Sequence, residues 1–74
     1  MYNDIDYIKK IIAKNITKHR QNIGVSKRQL AKLSKVDEKM IRRFEDGDYE
    51  YTPTLTSIVK IANVLGINFI DLLK

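Results

Sequence analysis

The chain has no cysteine and a single histidine, His19. Neither a disulfide framework nor a thiolate metal site is open to it, and one imidazole cannot build a metal site alone. No nucleophile–base pair can be assembled around that histidine, and there is no Gly-rich phosphate loop, so enzymatic function is the weakest class of reading and no cofactor is expected. No apolar run approaches the roughly 18 residues of a membrane span. The opening residues Met1, Tyr2, Asn3 and Asp4 lack the basic-then-apolar pattern of a secretory signal, which gives a cytoplasmic expectation. With 74 residues, one domain over 1–74 is the limit. A chain this short buries only about 60% of its unfolded surface, so the fold has to hold by economical packing.

What is present is charge, unevenly distributed. The formal net charge is +5, but Lys9 to Arg43 holds twelve Lys or Arg and only two acids, Asp37 and Glu38. Phe44 to Lys74 holds two bases and five acids. Such asymmetry fits one face that meets a polyanion and another that does not. Solvated lysines on helix exteriors would give the same composition, so charge alone leaves both readings open.

The three glycines punctuate the chain, because glycine is favoured at the left-handed position just past a helix C-terminus, where a side chain costs about 1 kcal/mol or more. Gly24 and Gly66 are each followed by an apolar residue and then a residue suited to an N-cap, Ser26 and Asn68. Ser26 with Gln29 has capping-box spacing, and Asn68 with Asp71 imitates it. Thr54 and Asp37 are further N-caps. These marks predict five helices at roughly 4–22, 27–34, 38–45, 55–65 and 69–73. Apolar residues recur at helical spacing: Ile5, Ile8, Ile12 and Ile16 in the first, Leu30 and Leu33 in the second, Ile41 and Phe44 in the third, and Leu55, Ile58, Ile61, Ala62 and Leu65 in the fourth. No strand pattern competes.

The informative stretch is Ser26 to Gly47, where two short helices and a three-residue joint lie within one basic segment. Two short helices that cross steeply need a small residue at the close approach, and Ala31 sits there beside Leu30. Val36, Ile41 and Phe44 can close a small core beneath the crossing, which leaves Glu38, Lys39, Arg42 and Arg43 outside on the second helix of the pair. That is the surface a DNA groove would meet.

Arg20, Gly24, Ser26, Leu30-Ala31, Val36, Ile41, Glu45, Gly47, Pro53, Ile58, Ala62 and Leu65 follow one another in the order, and close to the spacing, of the Cro/CI-type helix-turn-helix family of phage and bacterial repressors. The chain resembles that family from about Ile16 to Leu72. The resemblance implies an all-α, compact five-helix lambda-repressor-like domain with an N-terminally extended first helix and a helix-turn-helix motif at about 27–45. It implies double-stranded DNA as partner, and an ion pair between Arg20 and Glu45 that ties the first helix to the end of the recognition helix.

By the same resemblance Glu38, Lys39, Met40 and Arg43 occupy the positions from which such proteins reach base edges. Lys39 and Arg43 can donate to O6 and N7 of guanine, Glu38 can accept from cytosine N4, and Met40 can cover a thymine methyl. Lys27, Arg28 and Arg42 are expected at the DNA backbone, where an ammonium binds phosphate as a point charge. Arg28, with Lys32 and Lys35, can also serve by enlarging the positive field without contact.

Three features depart from the family pattern. Lys35 stands where the turn usually has glycine, Asp46 stands where relatives carry an amide or a base, and Asp48 and Glu50 replace basic loop residues. Tyr49 and Tyr51 are able to donate hydroxyls to phosphate or to pack at the core edge. The apolar ends, Tyr2, Ile5, Ile8 and Ile12 with Phe69, Ile70, Leu72 and Leu73, either pack on each other or form a two-fold dimer interface. The leading expectation is a transcriptional regulator acting as a repressor by occupancy. The alternative is a protein-interaction module of the same fold, antitoxin-like or anti-repressor, which the acidic loop favours.

Overall fold

A computed structural model describes residues 4–48 and 50–74. The expected Tyr2 and Tyr49 contacts lie outside the described residues. Four α-helices are present: α1 (Ile5–Asn22), α2 (Lys27–Ser34), α3 (Glu38–Glu45) and α4 (Leu55–Leu65). The fifth expected helix is a 3-10 helix, Phe69–Leu73. Among the described residues there is no strand, and no helix is long and apolar enough to cross a membrane.

Side-chain caps start α2, α3 and α4 where the sequence marks them, and Asp4, expected inside the first helix, caps α1. Asp4 Oδ1 accepts from Asp6 N at 2.9 Å, Asp37 Oδ1 from Lys39 N at 2.9 Å and Thr54 Oγ1 from Ser57 N at 3.1 Å. Ser26 and Gln29 close a full capping box, with Gln29 N donating to Ser26 Oγ at 3.0 Å and Ser26 N to Gln29 Oε1 at 2.8 Å. Gly24 (φ 73°) and Gly66 (φ 74°) end their helices in the left-handed region. A Cβ at either would meet nothing within 4 Å, so backbone angle rather than crowding is what calls for glycine there.

The joint between α2 and α3 uses the same geometry without glycine. Lys35 is left-handed at φ 57°, ψ 43°, and Val36 N reaches back to Ala31 O at 3.0 Å. The turn is therefore of the usual C-terminal kind, with a lysine at its strained position.

Ile16, Leu30, Ile41, Ile61 and Leu72 are the largest fully buried side chains, one from each of the five elements. In a 3-10 helix residues three apart eclipse, so Phe69 and Leu72 share a face and pack inward while Ile70 and Leu73 share the exposed one. Asn15 Nδ2 donates to Leu72 O at 2.8 Å, fastening this last turn to α1.

Helix phase differs from the expected stripe in α2. Leu33 is 58% exposed, and the buried set is Leu30, Ala31 and Ser34. Ala31 lies at the expected close approach, and the buried face turns toward α4 and α3, its two main neighbours. Ile5 and Leu55, also assigned to inward stripes, stand exposed at the first residue of their helices.

Candidate nucleic-acid interface

The outer face of α2 and α3 begins with how α3 is held. Arg20, near the end of α1, sends Nε to Glu45 Oε2 at 3.0 Å and Nη2 to Glu45 Oε1 at 3.0 Å, a two-pronged pair. Its Nη1 donates to Val25 O at 2.9 Å, and Thr17 Oγ1 donates to Glu45 Oε1 at 2.7 Å. Side-chain exposures of 11% for Arg20 and 3% for Glu45 put this cluster inside the molecule. A carboxylate at a helix C-terminus is opposed by the helix dipole, and three donors offset that. One guanidinium thereby joins α1, the strand of chain entering α2, and the last residue of α3.

With that end fixed, Ile41 and Phe44 face the core and Glu38, Lys39, Arg42 and Arg43 face out. Met40 differs from its expected place. It is 5% exposed within the core cluster, because it sits one helical turn before Phe44 and shares its inward stripe. Its side chain is a packing group and has no free surface for a thymine methyl.

Three of the outward cations have an acidic neighbour. Arg42 Nε donates to Glu38 Oε2 at 2.6 Å along one turn of α3. Lys27 Nζ lies 3.2 Å from Asp46 Oδ1, linking the start of α2 to the end of α3. Arg43 Nε donates to Asp48 Oδ2 at 2.8 Å, and its Cζ lies over the Tyr51 ring, 4.9 Å from the centroid. Arg28, Lys32, Lys35 and Lys39 are exposed and make no salt bridge among the described residues. Exposed pairs such as Arg42 with Glu38 and Lys27 with Asp46 contribute roughly 0–1 kcal/mol, so a phosphate or base edge can displace them at little cost; Arg43 differs in being braced by the Tyr51 ring as well.

Asp48 and Tyr51 acquire their roles only in three dimensions. Gly47 (φ 84°) folds the chain back, so that Asp48 N donates to Arg43 O at 2.9 Å and Tyr51 N to Asp48 O at 3.2 Å. Tyr51 packs at the edge of the core. The hydrogen bond from Arg43, aided by its charge, holds the Asp48 carboxyl below its ordinary value of 3.8. A group with a lowered folded-state value stabilises the fold fully above the ordinary range and loses that contribution as pH falls through the lowered one. The Arg43 tether is thus complete at neutral pH and is lost as pH falls below the ordinary carboxylate range. The spacing Arg43, Gly47, Asp48 was the available signal for this loop.

The family model described as helix-turn-helix matches residues 16–72, well over half of the chain. No curated protein and no solved structure gives a match. The matched span starts in the middle of α1 and ends in the 3-10 helix, so it contains the α2–turn–α3 pair, the Arg20–Glu45 bridge and all five central core residues, with Ile16 and Leu72 at its two borders. The chain belongs to the Cro/CI-type helix-turn-helix family of DNA-binding domains.

Proposed function

We propose that this protein is a sequence-specific double-stranded DNA-binding regulator that represses by occupying its site, with α3 inserted in the major groove. The observation that carries the reading is a short helix anchored internally at its C-terminal end by Arg20 while its outer face presents Lys39, Arg42 and Arg43 to solvent. Lys39 and Arg43 serve as donors to guanine and Glu38 as an acceptor from cytosine; Met40 is left out because it is buried. Lys27, Arg28 and Arg42 supply backbone contacts, which fix register and contribute most of the salt-dependent affinity.

A two-fold dimer through the chain ends belongs to the same proposal. Ile12, Phe69 and Leu72 are used inside the monomer, whereas Ile5, Ile70 and Leu73 remain exposed. Operators read this way have half-sites about 34 Å apart. The second reading, a protein-interaction module, draws on the carboxylates of Asp46 and Asp48, which already occupy Lys27 and Arg43.

Selection of bound duplexes from random DNA tests the proposal. It is expected to enrich one short motif. Recovery of unenriched sequence would favour the protein partner.

A further inference from the structure

Among the described residues Arg43 is the one cation on the outer face of α3 that is held from two directions. Asp48 takes the Nε–H at 2.8 Å, and Cζ lies over the Tyr51 ring, 4.9 Å from its centroid. Both holders are themselves fixed. Asp48 is tied by its amide to Arg43 O and by its carbonyl to Tyr51 N, and Tyr51 packs on the core. Among the described residues Nη1 and Nη2 make no hydrogen bond.

A guanidinium offers two forks, one from Nε with a terminal nitrogen and one from the two terminal nitrogens. With Nε occupied, only the end-on fork remains. Its two parallel donors match O6 and N7 of guanine. The Asp48 carboxylate beside it repels phosphate, so an Arg43 that swung toward the DNA backbone would bring no net gain in charge there.

Building on DNA binding as proposed above, we infer that Asp48, backed by Tyr51, is a specificity-determining positioning residue: it presents the terminal edge of Arg43 to a guanine and disfavours the use of Arg43 on phosphate. The acidic loop then narrows which sequences are bound, rather than marking a surface for a protein partner. Without Asp48 the arginine swings freely, gains a phosphate option and loses its preference for one base. Asp48 is partly exposed and its carboxylate is not part of the core, so its substitution leaves the fold intact.

The test starts from the duplex that wild-type protein enriches from random DNA. Binding is measured on that duplex, on its single-base variants and on random duplex, for wild type, Asp48→Asn, Arg43→Ala and the double variant, with melting temperatures recorded for each. Arg43→Ala identifies the guanine position. At that position Asp48→Asn is expected to lose discrimination by about fivefold or more, within the range of one bidentate contact, while affinity for random duplex stays level or rises. In the Arg43→Ala background Asp48→Asn is expected to change no position. Unchanged discrimination in Asp48→Asn, or an equal loss on every sequence, overturns the inference, as does an Arg43→Ala variant with no position of its own. Failure of the wild type to enrich any duplex overturns the DNA reading instead.

Discussion

Lys35 shows how a single residue departs from what its place favours. Its φ of 57° lies where a side chain is strained, and the hydrogen bond from Val36 N to Ala31 O depends on that conformation. Lys35→Gly relieves the strain, partly offset by the greater freedom of glycine in the unfolded chain, so a gain of about 0.5–1 kcal/mol is expected. Thermal unfolding checks this. A rise of a few degrees is expected for a domain of this size, at roughly 4–8 °C per kcal/mol, and an unchanged or lower melting temperature contradicts the strain. Ser34 is a second departure, a buried hydroxyl without a hydrogen-bond partner among the described residues. Neither its burial nor the exposure of Leu33 was legible in the sequence. An eight-residue helix offers too few apolar positions to define its phase, and the packing of α2 on α4 and α3 decided it. Met40 was misplaced for the same reason, since Ile41 and Phe44 alone leave the width of the inward stripe open.

Element boundaries were legible because their signals are local. Asp37, Ser26 and Thr54 cap the helices they precede, and Gly24 and Gly66 end the helices they follow. The last element was read as α-helix and is 3-10, since a five-residue segment gives no periodicity that separates the two. The link between elements, Arg20 with Glu45, was visible only through the family pattern, because the two residues lie 25 apart in the chain. Glu45→Ala leaves the Arg20 guanidinium buried without its carboxylate, which costs about 3–5 kcal/mol. Against a total of roughly 5–15 kcal/mol for a domain, urea unfolding is expected to show a large drop in midpoint; a drop under about 1 kcal/mol would mean the pair is no better than an exposed one. On the proposed operator the two motif helices separate by role. Lys27→Ala is expected to weaken all sequences alike, whereas Arg43→Ala costs about 1–3 kcal/mol on the cognate site and relaxes it at one position. Equal losses on every sequence in a competition assay remove Arg43 from base reading.

For the molecule as a whole, seven of the twelve bases between Lys9 and Arg43 fall on α2, α3 and the joint between them, and the tertiary fold sets acids from the second half against that surface. The pairs Lys27 with Asp46 and Arg43 with Asp48 cross from one charge block to the other, and the first, between residues 19 apart, has no local signal in the sequence. The exposed ends Ile5, Ile70 and Leu73 predict self-association. Sedimentation across concentration, with and without operator, is expected to show a dimer; monomer throughout removes that part of the proposal. DNA binding itself is tested most directly by titrating the enriched duplex and a scrambled duplex over a range of salt. Neutralising several phosphates gives a linear fall of log affinity with log salt, with a slope of about 0.9 per phosphate, and the enriched duplex is expected to stay the tighter of the two throughout. A flat salt response, or equal affinity for both duplexes, contradicts sequence-specific binding through α3.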